Sequence, residues 1–129
     1  MKRKVLLIED NEQNRYLVKY ILEKAGHEVI EACTGQEGID LATSEHPALI
    51  LLDIQLPVMD GYSVAKELRR VASLNRVPIV AVTSYAMPGD RERVLESGCS
   101  GYIEKPINPS TFLSEITPFI EDTSPGASP

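Results

Sequence analysis

The sequence has few of the residues that build disulfide frameworks or histidine metal centres. Its two cysteines, Cys33 and Cys99, lack the CxxC spacing of redox and zinc motifs, and its two histidines, His27 and His46, stand apart from each other. In a cytosolic chain two such cysteines are expected to remain reduced thiols. These shortages argue against a disulfide scaffold and against a histidine-based metal site.

Long apolar runs and excess positive charge are also missing. No segment approaches the roughly 20 apolar residues of a membrane-spanning helix. The basic residues 1–4 are followed by a short apolar stretch, residues 5–8, and then by two acids, which is too short for a signal-peptide core. The net charge of −6 disfavours binding to nucleic acid, which relies on Lys and Arg at phosphates. We expect a cytoplasmic protein that neither inserts into a membrane nor binds nucleic acid.

What the sequence does contain is a regular alternation of strand and helix patterns within 129 residues, the length of one domain. Continuous apolar runs predict strands, stripes with helical spacing predict helices, and Gly26 and Gly98 supply helix stops. Strands are predicted at 4–8, 28–32, 48–52, 77–82 and 101–103, with helices after each, the last running from Pro109 to about Ile120. Five alternations of strand and helix predict an α/β fold with a parallel sheet covered by helices on both faces. Residues 122–129, rich in Ser, Pro, Gly and Ala, predict a disordered tail after a domain spanning residues 1–121.

Polar side chains follow four of the predicted strands where each strand ends. Glu9 and Asp10 follow the first strand, Asp53 the third, Thr83 the fourth, and Lys105 comes soon after the fifth. In parallel sheets ligands bind beyond the carboxyl ends of the strands, so these side chains are expected to meet at one edge. Clustered carboxylates suit Mg²⁺, which prefers oxygen ligands, and a lysine suits one oxygen of a phosphoryl group. The third-strand carboxylate is then free to act as a nucleophile and form an aspartyl phosphate.

These residues occur in segments that resemble the motifs of response regulator receiver domains. The segments are Val5-Leu6-Leu7-Ile8-Glu9-Asp10-Asn11, 51–61 around Asp53, Val80-Ala81-Val82-Thr83, and Tyr102-Ile103-Glu104-Lys105-Pro106-Ile107. The resemblance extends from residue 4 to about 120. It implies a doubly wound, flavodoxin-like or CheY-like (βα)5 fold with strand order 2-1-3-4-5. Within the family, residues 9–14 and 85–90 are most similar to single-domain cell-cycle regulators.

The resemblance also implies a role for each residue at the predicted edge. Asp53 is the implied phosphoacceptor. Thr83 and Lys105 are the residues implied to contact the phosphoryl group, and the peptide bond between Lys105 and Pro106 is implied to be cis. Mg²⁺, or alternatively Mn²⁺, is the implied cofactor. Its implied ligands are Asp10, Asp53, Glu9 through a water molecule, and the backbone carbonyl of Gln55.

The family pattern implies a switch as well as a site. Tyr102 is expected to turn inward when Thr83 moves toward the phosphoryl group, and packing alone is the alternative role for a tyrosine there. The segment 84–90 would move with Thr83, and the fourth helix, fifth strand and fifth helix would form the output surface. Ser84 departs from the alanine common after the switch threonine, which leaves the phosphoryl lifetime open.

The implied partners are a sensor histidine kinase or a histidine phosphotransfer protein as donor, and a downstream protein as target. After Ile120 no residues remain for DNA binding or catalysis, so the chain is expected to act as a phosphoacceptor switch rather than as an enzyme on a diffusible substrate.

Three other functions are compatible with parts of this pattern. A haloacid dehalogenase-type phosphatase also phosphorylates an aspartate after a strand, but it needs a second Asp where Gln55 stands. A nucleotide- or flavin-binding module needs a glycine-rich turn after the first strand. Residues 9–12 contain three acids and lack glycine, so this turn would repel a phosphate. A receiver-fold adaptor that signals without phosphorylation is the third alternative, although such adaptors normally lose part of the acidic site.

Overall fold

The computed structural model describes residues 3–84 and 89–122, with side chains described as far as residue 120. Strands and helices alternate through both ranges. The elements are β1 (Lys4–Ile8), α1 (Glu12–Lys24), β2 (Glu28–Ala32), α2 (Gly35–Glu45), β3 (Leu49–Asp53), α3 (Gly61–Arg70), a 3₁₀ turn (Ala72–Leu74), β4 (Ile79–Thr83), α4 (Asp90–Glu96), β5 (Gly101–Glu104) and α5 (Phe112–Asp122). Of the predicted tail, only Asp122 lies in the described ranges, where it is the last residue of α5.

The five strands form one parallel sheet in the order β2-β1-β3-β4-β5, which confirms the predicted fold. Alternate strand residues enter two separate apolar cores. One core joins the sheet to α2, α3 and α4, and includes Ile8, Leu52 and Leu68. The other joins it to α1 and α5, and includes Leu22 and Phe112. Because helices cover both faces, the central strands β3 and β4 are buried along their whole length.

The start of α2 lacks the reciprocal hydrogen bond of a capping box, and the last helix starts later than predicted. Thr34 caps α2, since its Oγ1 accepts a hydrogen bond from the Glu37 N–H at 3.1 Å. In a capping box the Glu37 carboxylate would accept from the Thr34 N–H, but here it accepts from the Cys33 N–H. The last helix begins regularly at Phe112 and not at Pro109. The Asn108 carbonyl accepts from both Thr111 and Phe112, which tightens the first turn toward 3₁₀ geometry.

The side chain of Arg69 joins the two connections that lead into β4 and β5, at the edge of the sheet opposite the carboxyl ends of the strands. Its guanidinium donates to the carbonyls of Leu74 at 2.8 Å, Val77 at 2.7 Å and Gly98 at 2.8 Å. The sequence gives no periodic signal for such a contact, and our prediction placed Arg69 only within the third helix. The Leu74 carbonyl also accepts from the Val77 N–H at 3.2 Å, so the guanidinium matters most for the partly buried carbonyls of Val77 and Gly98.

Truncating Arg69 should therefore destabilise the protein. We expect Arg69→Ala to lower the free energy of unfolding by about 2 kcal/mol, because the partly buried carbonyls of Val77 and Gly98 lose the guanidinium as donor. Arg70→Ala is the matched control, since the neighbouring Arg70 side chain is 78% exposed and, among the residues that the structure describes, pairs only with Glu67 on the same helix. Urea unfolding monitored by circular dichroism would measure both changes, and equal effects for the two variants would contradict the assigned role.

No helix in the described ranges combines the length and the apolarity needed to cross a lipid bilayer.

Candidate functional site

The sheet brings the polar residues predicted at its carboxyl edge together. Asp53 is the last residue of β3 and Thr83 the last residue of β4, while Glu9 directly follows β1. The register aligns Ile8 with Leu52 and Asp53 with Val82, so the ends of these three neighbouring strands lie side by side. Glu9, Asp53 and Thr83 are all buried. Burial is unusual for the two acidic side chains, because Asp and Glu are almost never fully buried unless they are paired.

Three carboxylates form a cluster at this edge. Oxygen atoms of Glu9, Asp10 and Asp53 all lie within 4.8 Å of one another. Glu9 is 3% exposed and Asp53 2% exposed, whereas Asp10 is open to solvent. An all-oxygen donor set with one solvent-facing member matches the preference of Mg²⁺ for carboxylates together with several retained waters. The residues present therefore fit a hard divalent cation.

Lys105 lies directly against this cluster. Its Nζ is 3.1 Å from Asp53 Oδ1 and 3.4 Å from Glu9 Oε1. The backbone N–H of Lys105 donates to the Thr83 carbonyl at 2.8 Å, which ties the segment after β5 to the end of β4. The following bond to Pro106 is cis. The ammonium group is thus held between the two buried carboxylates by the fold itself.

The electrostatics of the cluster are most visible at Glu9. Burial, followed by a hydrogen bond to Asp53 and the charge of Asp53, raises the pKa of Glu9 from 4.5 to about 7. The Asn11 N–H, at 3.2 Å from Glu9 Oε2, and the ammonium of Lys105 act in the opposite direction but do not cancel the effect. Without a cation, Glu9 therefore keeps its proton to a higher pH than an ordinary glutamate does.

Gln55 contacts the site through both its backbone and its side chain. Its N–H donates to Asp53 Oδ1 at 2.9 Å. Its side-chain Oε1 accepts from Ser84, from the backbone N–H at 3.2 Å and from Oγ at 2.6 Å. These two bonds link the segments that leave β3 and β4. Ser84, noted in the sequence as a departure from alanine, thus has a defined partner across the site.

The predicted switch residues occupy different environments. Thr83 is buried, while Tyr102 is 37% exposed on β5, where it pairs with Ala81. Tyr85 and Met87, which the sequence prediction placed in the moving segment, lie outside the described residues. The inward turn of Tyr102 remains a prediction.

Gly61 is a residue whose role the sequence analysis missed. The dipeptide Asp60-Gly61 is typical of a turn. In the structure Asp60 caps α3 by accepting from the Ser63 N–H at 2.9 Å, and Gly61 is the first residue of that helix. A Cβ atom at Gly61 would lie 2.5 Å from the Ile54 Cα and 2.7 Å from the Asp53 carbonyl oxygen. Glycine is therefore required for the helix to approach the backbone at Asp53. A glycine placed directly after a capping Asp, where a better helix former would normally stand, is the signal that could have indicated this.

We expect Gly61→Ala to disturb both stability and the site. The added methyl group meets backbone atoms, so the helix or the segment after Asp53 must shift, at about 2 kcal/mol. Chemical unfolding would measure this loss. Ser63→Ala, on the exposed face of the same helix, is the control and should change little. A Gly61→Ala protein as stable as the wild type would show that the close approach is unimportant.

Comparison with known proteins identifies the family. A family model described as "Response regulator receiver domain" matches residues 5–117. The chain belongs to this family. The receiver is thus a response regulator module of two-component signalling, as the four sequence segments predicted.

One relative supports the narrower similarity to single-domain regulators, and solved structures of other receivers support the fold. The polar-differentiation response regulator DivK of Brucella ovis is 43% identical over 122 residues, which cover 95% of this chain and 99% of that protein. A chemotaxis protein, CheY4 of Vibrio cholerae, has a solved structure with a TM-score of 0.88 at 29% identity, covering 92% of this chain and 99% of that one. A receiver domain of a sensor histidine kinase from Pseudomonas aeruginosa, solved with a magnesium ion in its active-site cleft, has a TM-score of 0.85 at 33% identity. It covers 94% of this chain and 99% of that one.

Proposed function

We propose that this receiver accepts a phosphoryl group on Asp53 from a phosphohistidine donor and signals through a protein surface that depends on phosphorylation. The observation that carries the proposal is the contact of 3.1 Å between Lys105 Nζ and Asp53 Oδ1 within a buried acidic cluster. A salt bridge alone does not account for the cluster, since Lys105 supplies one positive charge against three carboxylates. The composition of the site fits a reaction in which a divalent cation and an anionic phosphoryl group bind among these residues.

The cation we propose is Mg²⁺, with Mn²⁺ as a substitute. Asp10, Asp53 and the Gln55 backbone carbonyl would bind it directly, and Glu9 through a water molecule. The magnesium in the structurally similar Pseudomonas aeruginosa receiver supports this assignment. When bound, Mg²⁺ supplies positive charge that offsets the negative charge of the incoming phosphoryl group.

The protein's own residues perform the remaining chemistry. An Asp53 carboxylate oxygen attacks phosphorus, a P–O bond forms, and the P–N bond to the donor imidazole breaks, leaving a neutral histidine after it takes up a proton. Lys105 moves its ammonium from Asp53 Oδ1 to a phosphoryl oxygen, and the Thr83 hydroxyl donates to another. Hydrolysis of the acyl phosphate by water at the same site would return the receiver to its starting state, without turnover of a diffusible substrate.

The proposed output follows from where these residues lie in the fold. Thr83 ends β4, and Lys105 follows β5, so a phosphoryl group that attracts both would act on the segments leading into α4 and α5. Tyr102 would then turn inward and shift a pre-existing equilibrium between two conformations of the α4–β5–α5 surface. The donor would be a sensor histidine kinase or a phosphotransfer protein, and the target a protein in the cytoplasm.

A direct test uses the wild-type chain. After incubation with acetyl phosphate and Mg²⁺, intact-mass spectrometry should show the addition of one PO₃ unit, and no addition when EDTA replaces Mg²⁺. Borohydride reduction of the acyl phosphate, followed by peptide mapping, should place the label on residue 53. A chain that folds, binds Mg²⁺ and takes up no phosphoryl group from acetyl phosphate or from any phosphohistidine donor would instead support an adaptor that works without phosphorylation.

The Gln55–Ser84 contact leads to a prediction about the rate of this reaction. We expect Ser84→Ala to be phosphorylated by acetyl phosphate several-fold faster, because loss of the 2.6 Å bond to Gln55 Oε1 loosens the link between the segments flanking Asp53. One hydrogen bond of about 1 kcal/mol corresponds to roughly a fivefold effect. Ser84→Thr, which keeps the hydroxyl, is the control. Time-resolved intact mass would measure both rates, and a slower Ser84→Ala reaction would refute this role.

A further inference from the structure

The peptide group between Glu9 and Asp10 joins two of the three clustered carboxylates. The N–H of Glu9 donates to the Ala32 carbonyl at 3.0 Å and so continues the pairing of β1 with β2. The carbonyl of Glu9 accepts a hydrogen bond from Arg15 Nη1 on α1 at 2.9 Å. The sheet therefore holds the peptide group before Glu9, and Arg15 holds the carbonyl of the peptide group after it, so the backbone of Glu9 is anchored on both sides.

Arg15 is itself held in place by an acid on the neighbouring strand. Its Nε lies 3.6 Å from Glu31 Oε1 on β2, and the Arg15 side chain is 17% exposed. Lys19, one turn further along α1, places its Nζ 3.3 Å from the other oxygen of Glu31. The planar guanidinium can serve a carbonyl and a carboxylate at once, which the single ammonium of a lysine does less well.

We propose that Arg15 is a positioning residue for the divalent-cation site, since it fixes the peptide that orients Glu9 and Asp10. This inference rests on the proposed function, because it assumes that these carboxylates bind Mg²⁺. Residues behind the ligands of a metal hold the ligands in orientation, and their loss typically weakens metal binding by about tenfold to a hundredfold.

The sign of the effect distinguishes positioning from simple electrostatics. Arg15 is a cation near an acidic cluster, so its charge alone opposes the binding of a second cation. Removing that charge should tighten Mg²⁺ binding if Arg15 acts only through space. Removing a positioning residue should weaken it. The two explanations therefore predict opposite changes in the dissociation constant.

The experiment measures Mg²⁺ and Mn²⁺ affinity by isothermal titration calorimetry at pH 8, without any phosphodonor. We expect Arg15→Met to bind Mg²⁺ about tenfold more weakly than the wild type. Lys19→Met is the matched control: it removes the same charge from the same helix and the same Glu31 carboxylate, but Lys19 makes no hydrogen bond to Glu9 in the described structure. It should bind Mg²⁺ as well as the wild type, or slightly better.

Arg15→Lys keeps the positive charge while losing the two-sided contact, so a weakened affinity in this variant cannot come from charge. If Arg15→Met does not fold, as judged by circular dichroism, the affinity of Arg15→Lys for Mg²⁺ decides between positioning and electrostatics. Unchanged or tighter binding in the folded Arg15 variants would overturn the assignment. Absence of Mg²⁺ binding in the wild type would instead overturn the proposed function.

Discussion

Replacing Asp53 with asparagine is expected to abolish phosphorylation of this receiver by acetyl phosphate and Mg²⁺. The carboxamide has no anionic oxygen to attack phosphorus, and it no longer offers Lys105 the partner that it has at 3.1 Å in the wild type. Intact-mass spectrometry would show the wild type gaining a PO₃ unit while Asp53→Asn stays at its own mass.

Asp60→Asn is the matched control for this variant. It makes the same chemical change seven positions further on, at an exposed residue whose side chain caps α3. Because asparagine caps helices about as well as aspartate, this variant should fold and react as the wild type does. Phosphoryl uptake by Asp53→Asn at the wild-type rate would mean that the acceptor has been assigned to the wrong residue.

The second large effect concerns pH and the proton on Glu9. The pKa of Glu9 is about 7 in the folded chain without a cation, against 4.5 as the ordinary value. The folded state therefore binds more protons than the unfolded state between pH 4.5 and 7. The contribution of Glu9 to the free energy of unfolding of the metal-free protein should fall as pH rises through this window, by about 3 kcal/mol at 1.36 kcal/mol per pKa unit.

Glu9→Gln should remove this dependence, because the carboxamide stays neutral at every pH. In EDTA at pH 8 the variant should be more stable than the wild type, while at pH 5 the two should be similar. Urea unfolding at several pH values would measure the difference. Glu12→Gln, at an exposed position in the first turn of α1, is the control and should keep the wild-type profile. A wild-type stability that rises between pH 5 and 7 relative to Glu9→Gln would contradict the raised pKa.

The same proton should govern the affinity for Mg²⁺. A cation that binds at the cluster displaces the proton of Glu9, so the dissociation constant should increase by about tenfold per pH unit below pH 7 and level off above it. Calorimetric titration of the wild type from pH 6 to 8 would measure the slope. Glu9→Gln should bind Mg²⁺ more weakly and with little dependence on pH across this range.

Much of the fold could be predicted from local patterns. The apolar runs that end in Asp53 and Thr83 correspond to β3 and β4 in the structure, and Gly26 and Gly98 adopt the positive φ angles, 95° and 112°, of helix stops. Helix boundaries were less well predicted where two backbone N–H groups share one carbonyl. At Asn108 the carbonyl is shared between two donors, and the regular helix starts later than the proline suggested.

Residues that act through distant partners could not be found in this way. Arg69 contacts the carbonyl of Gly98, and Arg15 contacts Glu31 as well as Glu9, yet both arginines look like ordinary charged residues of a helix surface. Gly61 looks like a turn residue until the backbone at Ile54 is placed beside it. Each role depends on which segment folds against the residue, and no periodicity in the chain encodes that.

The sequence by itself determined that this chain is a parallel α/β domain and that carboxylates, a threonine and a lysine stand at the ends of its strands. Alternating apolar runs dictate that outcome, because only a sheet covered on both faces buries them all. The tertiary structure alone decided which of these groups touch. It placed Lys105 between Asp53 and Glu9, buried both acids, and left Asp10 open to water. The distances and the burial set the electrostatics, and they arise only when β1, β3, β4 and β5 share one sheet.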